Sequence, residues 1–142
     1  MTLPNLLLLK RWVVIIMFSG HRDKVTERVF LEEIATLYCD CLWIHGGARG
    51  FDDRVEKIAK EIGIRTEIYL PDYEKYGRCA PIMRNKEMLE KCSIVIACYD
   101  GRKTGGTFFV VTEARRMGKN VIIVPAVPVH HISRQLEWQK NL

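Results

Sequence analysis

Residues Trp12 to Phe18, W-V-V-I-I-M-F, form an unbroken apolar run of strand length. A run with no polar alternation suits a central parallel strand covered on both faces, and this constrains the fold more than any other stretch. It stops at a polar turn, Ser19, Gly20, His21, Arg22 and Asp23. Val25, Val29, Phe30, Ile34, Leu37 and Tyr38 then fall along one side of a helix, with Asp23 or Thr26 available near its start. The opening unit is therefore strand, polar loop, helix.

The same unit recurs. Cys41 to Ile44 reads as a short buried strand, and Phe51, Val55, Ile58, Ala59 and Ile62 recur at helical spacing up to Gly63, with Gly46, Gly47 and Gly50 between. Arg65 to Leu70 gives a third strand, stopped by Pro71 and Asp72. An irregular segment with Tyr73, Tyr76 and Arg78 precedes Pro81, which starts a helix through Arg84, Asn85, Met88 and Leu89. Ser93 to Tyr99 is the fourth strand, and Asp100 to Thr107 a second glycine turn. Val111, Ala114 and Met117 mark a helix ending at Gly118, and Val121 to Val124 is the fifth strand, closed by Pro125 and Pro128. This order predicts an α/β fold, a three-layer Rossmann-like domain with a mostly parallel five-stranded sheet. The domain spans residues 12–125, with 1–11 as an N-terminal extension and 126–142 as a tail or short helix.

A chain of 142 residues, 48% hydrophobic, is long enough for one packed domain and too short for two. The apolar Leu6 to Leu9 precedes Lys10 and Arg11, the reverse of a signal peptide, and no stretch reaches the roughly 18 apolar residues of a membrane span. A cytoplasmic location without membrane contact is the expectation. Cys39, Cys41, Cys79, Cys92 and Cys98 are odd in number and have no zinc-ligand spacing, and the His130–His131 pair lacks acidic company. Neither a metal nor a cofactor is predicted. The net charge of +5 favours an anionic partner. Without a helix-turn-helix, zinc module or long basic patch, nucleic acid ranks below a nucleotide-derived small molecule.

In an open parallel sheet the loops after the strands share one edge, and ligands occupy a crevice there. Four such loops carry the unusual polar residues: Ser19 to Asp23, His45 to Asp53, Tyr73 to Asn85, and Asp100 to Thr107. The glycines after Ile44 either cradle a phosphate or only make a tight turn. They match neither G-x-G-x-x-G nor G-x-x-x-x-G-K-[ST], which argues against a standard dehydrogenase or ATPase. Arg49 could meet a phosphate or face solvent, and Asp52 could contact a ribose hydroxyl or merely favour the helix dipole. His21 and His45 could orient a sugar or transfer protons. Arg78 lies on a candidate lid. Arg84 could hold a phosphate and Asn85 a base or sugar, or the two could lock a loop; Glu87 could simply pair with Arg84. Thr104, Gly105, Gly106 and Thr107 complete the candidate set.

In this order, H-G-G-A-R-G-F-D-D, Y-G-R-C-A-P-I-M-R-N-K-E-M and T-G-G-T closely resemble the YspA-like branch of the SLOG superfamily, Rossmann-like proteins related to the DprA/Smf and Lonely-guy proteins. The resemblance spans about Val13 to Val124. It implies a nucleotide-derived, ADP-ribose-like ligand and a homodimer, to which the apolar N-terminal run offers a buried contact. Ser19, Gly20 and Arg22 look like the first family loop, and Gly46, Gly47, Gly50 and Asp52 match the second. Arg84 and Asn85 match the R-N pair, and Gly105, Gly106 and Thr107 the last Gly-Thr segment. Lonely-guy phosphoribohydrolases carry an acid three residues after that threonine, where this chain has Val110.

The leading expectation is a nucleotide or nucleotide-sugar binding module, acting as a sensor. Its competitors are a Lonely-guy-like N-glycosidic hydrolase, with the catalytic acid open among Asp52, Glu87 and Glu113, a DprA-like nucleic-acid binder, and a structural or assembly protein. Whether the protein is an enzyme stays open at this level.

Overall fold

The structure, a computed structural model, describes residues 13–132. The Leu6 to Leu9 run and most of the expected C-terminal helix lie outside them. In chain order the elements are β1 (Val14–Gly20), β2 (Lys24–Val25), α1 (Arg28–Leu37), β3 (Cys41–His45), α2 (Phe51–Ile62), β4 (Arg65–Ile68), α3 (Tyr73–Tyr76), a 3-10 turn (Gly77–Cys79), α4 (Ala80–Lys91), β5 (Ile94–Cys98), α5 (Gly105–Arg116), β6 (Asn120–Val124) and β7 (Val127–Pro128).

Five strands form one sheet in the order β4-β3-β1-β5-β6, all neighbours parallel. The chain builds outward from β1 through β3 to β4, then crosses to β5 on the other side of β1 and continues to β6. That reversal is a topological switch point, and it opens a crevice beyond the carboxyl ends of β1 and β5. The α/β expectation of a three-layer Rossmann-like domain with five mostly parallel strands matches this architecture.

Alternation along β1 builds the layers. Ile16 and Phe18 face α1 and α2, packing with Leu31, Trp43, Phe51 and Val55. Met17 faces the other way, with Met88, Leu89, Val110 and Ala114 of α4 and α5. Trp43 and Phe18, whose ring centroids are 4.6 Å apart, are almost fully enclosed. Burying side chains of this size contributes roughly 1.5–3 kcal/mol each, which makes the strand edge above them a rigid platform.

Three local features differ from the sequence-based expectation. β1 runs on to Gly20, because Ser19 and Gly20 pair with Ala97 and Cys98 of β5. Val25 is not helical; it pairs antiparallel with Val127 in a small second sheet, and Val129 N donates to Asp23 O (3.3 Å). The segment expected to be irregular is instead helical: Asp72 Oδ1 accepts from Lys75 N at 3.1 Å, capping α3, and the 3-10 turn leads into α4 with Pro81 in its first turn. Among the described residues no helix is long and apolar enough to cross a membrane.

Candidate functional site

A cleft of about 500 Å³ opens at the switch point. Its floor is the end of β1 from Phe18 to Gly20; one wall is the β3–α2 loop with Gly46, Ala48 and Asp52. The opposite walls are the first turns of α4, with Pro81, Arg84 and Asn85, and of α5, with Thr104 to Thr107. His21, Arg22, Asp23 and Arg102 line it as well. A volume of this size suits a small organic ligand.

The first two loops are locked together. His21 O accepts from Lys24 N (3.4 Å) and Phe51 N (3.5 Å). Gly50 has φ +78°, and a Cβ there would lie 2.4 Å from Arg22 O. Only glycine satisfies both conditions.

Arg84 clamps the second loop to β4. Its Nη1 donates to Gly46 O (2.8 Å) and Tyr69 O (3.1 Å), and its Nε to Asn85 Oδ1 (2.9 Å). Burial draws its pKa down and the Asp52 charge opposes that shift. The loop-locking role left open by the sequence is therefore built from real bonds. Because Oδ1 of Asn85 is held by Arg84, Nδ2 faces the other way, 3.8 Å from where a Cβ on Gly106 would sit.

Gly106 belongs to the first turn of α5, a helix whose N-cap, Thr104, makes no side-chain cap bond. Its leading amides lack intrahelical acceptors and carry the positive end of the helix dipole. Asn85, 8% exposed, thus presents an amide donor beside an uncapped helix start.

Near β1, His21 is buried, and its Nε2 lies 3.1 Å from Asp100 Oδ1. Burial first, and the Arg102 charge second, hold its pKa below the ordinary imidazole value, with Asp100 pulling the other way. Arg102 grips Asp100 through Nε and Nη2 and reaches Asp23 Oδ1 at 3.3 Å. Hydrogen bonding from Arg102 keeps the Asp100 carboxyl far below the usual carboxylate range. Arg22 is exposed and forms no ion pair among the described residues.

Of the residues expected at the site, the cleft brings together Ser19, Gly20, His21, Arg22, Gly46, Asp52, Arg84, Asn85, Thr104, Gly105, Gly106 and Thr107. It does not take in His45, Gly47, Arg49, Gly50 or Arg78. His45 is 1% exposed beneath the loop, where its Nδ1 accepts from Gly47 N (3.0 Å). Arg49 and Arg78 are exposed and are not part of the cleft's lining. Glu87 pairs with Lys91 and Glu113 with Arg116, and neither lines the cleft. Arg102, Asp23 and Met88 line the cleft beyond the candidate set, the first two within loops that the sequence points to. The D-G-R turn after β5 was the available signal for Arg102, and its Asp100 partner lies only two residues away.

No protein-family model matches the chain. Over 84 residues it is 31% identical to the gene 61 protein of Mycobacterium phage D29, covering 56% of this chain and 67% of the phage protein. The chain belongs to the family of that phage protein. A gene number states no chemistry. Among the described residues no three His, Cys, Asp or Glu side chains gather as a metal-ligand cluster.

Proposed function

We propose that the protein binds a nucleotide or nucleotide-sugar ligand, ADP-ribose-like in chemistry, in the cleft at the carboxyl ends of β1 and β5. One observation carries this reading: Asn85 Nδ2 and the uncapped start of α5 stand side by side in a cleft of about 500 Å³ at the switch point. Converging neutral donors suit a phosphate, which needs hydrogen-bond donors more than a bare opposite charge. The exposed Arg22 supplies a cation at the rim. The resemblance to YspA-like SLOG proteins points to the same ligand class.

Binding without turnover is favoured over hydrolysis. Val110 fills the position of the Lonely-guy acid and is fully buried in the α4–α5 core, while Glu113 is held by Arg116. A role as a sensor fits a nucleotide site in which neither Glu87 nor Glu113 lines the cleft.

Titration calorimetry with AMP, ADP-ribose, inorganic phosphate and a single-stranded oligonucleotide tests the proposal. Saturable binding of AMP or ADP-ribose, weakened by Arg22→Ala, is the expected result. Heats from the oligonucleotide alone, falling steeply with salt, would replace this reading with nucleic-acid binding. Silence with every ligand would remove the cleft as a nucleotide site.

A further inference from the structure

Asp52 lies in the first turn of α2, is 6% exposed, and nevertheless lines the cleft. Its Oδ2 accepts from Ala48 N at 3.1 Å. Its Oδ1 is enclosed and has no hydrogen-bond partner among the described residues. None of the donors around it is bonded to Oδ1: Arg84 Nη1 and Nε serve Gly46, Tyr69 and Asn85, His45 Nδ1 accepts from Gly47 N, and His45 Nε2 is itself enclosed without a hydrogen-bond partner. A buried acceptor left without a donor is costly, on the order of 1–3 kcal/mol, so such groups in native proteins usually serve something the bare chain lacks.

Asp52 lines the cleft, and a partner that reaches its carboxylate from there has to donate. A phosphate oxygen cannot fill that role beside a carboxyl group, so the anionic part of a ligand is excluded from Asp52. The donors that suit phosphate are at Asn85 and α5. These two poles are adjacent, because Asn85 bonds the same guanidinium whose charge acts on Asp52. In a nucleotide the donor nearest the phosphate is the sugar hydroxyl; the base lies farther off.

We infer that Asp52 Oδ1 accepts a hydrogen bond from the ribose hydroxyls of the ligand, so that the site selects ribosyl phosphates over deoxyribosyl phosphates. This rests on the nucleotide-binding reading and adds to it the sugar and the direction of the ligand. The anion points to α5, the sugar to α2.

The test is a cycle of two changes, one in the protein and one in the ligand, read by calorimetry. AMP and 2',3'-dideoxy-AMP are titrated into the wild-type chain, Asp52→Ala and the near-isosteric Asp52→Asn, which keeps an acceptor for Ala48 should the alanine variant fold poorly. Wild type is expected to lose roughly tenfold or more in affinity for the dideoxy ligand. Asp52→Ala is expected to lose about as much for AMP and almost nothing further for dideoxy-AMP. In the asparagine variant the preference for AMP is expected to shrink. Equal affinity of wild type for the two ligands overturns the inference while leaving the nucleotide site in place, as does a loss in Asp52→Ala that is the same for both. If AMP itself does not bind the wild-type chain, the nucleotide reading fails and takes this inference with it.

Discussion

Arg84 Nε donates to Asn85 Oδ1 across 2.9 Å, and that bond decides which end of the Asn85 amide looks into the cleft. Two neighbouring residues on α4 thereby divide the work. Arg84 holds the β3–α2 loop and β4 in place, and Asn85 offers its nitrogen toward Gly106. The arginine is a positioning group, and under the proposed function the asparagine is the one that would touch the ligand.

Asn85→Asp separates these roles. The aspartate keeps an oxygen for Arg84 but replaces the donor facing α5 with a second acceptor carrying charge. Affinity for AMP should fall by roughly a hundredfold, since a charge-assisted donor contact is lost and a repulsion gained. Calorimetry alongside a melting curve checks this. An unchanged dissociation constant would remove Asn85 from the site.

Gly46 and Gly106 should respond unequally to alanine. A Cβ on Gly46 would fall 2.2 Å from Arg84 Nη1, whereas the nearest atom to one on Gly106 is 3.8 Å away. Gly46→Ala must displace the guanidinium and is expected to cost about 1–3 kcal/mol in urea unfolding, with Gly106→Ala within roughly 0.5 kcal/mol of wild type. Comparable midpoints for the two variants would mean that the Arg84 clamp contributes little.

Acid sensitivity should begin at His21. Burial and the Arg102 charge hold its folded-state pKa below the ordinary 6.5, so the unfolded chain takes up the proton first as pH falls. Stability from this group is complete above 6.5 and declines below it until the lower folded value is passed. Asp100, held down by Arg102, acts in a separate window beneath the ordinary carboxylate value of 3.8. Urea midpoints measured from pH 7.5 to 5 should drop less steeply in His21→Gln than in wild type. Parallel curves would refute the assignment.

Thiol labelling distinguishes the five cysteines. Cys39 and Cys79 are exposed, while Cys41, Cys92 and Cys98 are buried. Burial pushes the Cys98 thiol up to about 12. At pH 8 the native protein should take up label at Cys39 and Cys79 and spare the other three until denaturant is added, which peptide mass spectrometry would show directly. Fast native labelling of Cys98 would contradict the packing at the end of β5.

What could be read in the sequence was whatever depends on neighbours in the chain. The seven apolar positions from Trp12 to Phe18 announce a central strand, and Pro81 announces a helix start, because both signals are local. The last two residues of β1 could not be assigned, since Ser19 and Gly20 are made extended by Ala97 and Cys98. Val25 fits a helical stripe with Val29 but is claimed by Val127, about a hundred positions later. The same limit applies to the cleft. Its four loops were legible from the strand-helix order and the switch-point rule. The separation of Arg84 from Arg49 was not, because one arginine finds Gly46 and Tyr69 within reach and the other finds water.

The pairing of Lys24 and Val25 with Val127 and Pro128 has a consequence in time. A chain made from its first residue onward produces the His21–Val25 rim early, yet that rim has no partner strand until residue 128 has emerged, and the end of β1, from Phe18 to Gly20, waits for β5 although the rest of β1 pairs with β3. Contacts this distant in sequence form late because the intervening loop must close first. The cleft's rim and floor are thus among the last parts of the molecule to mature.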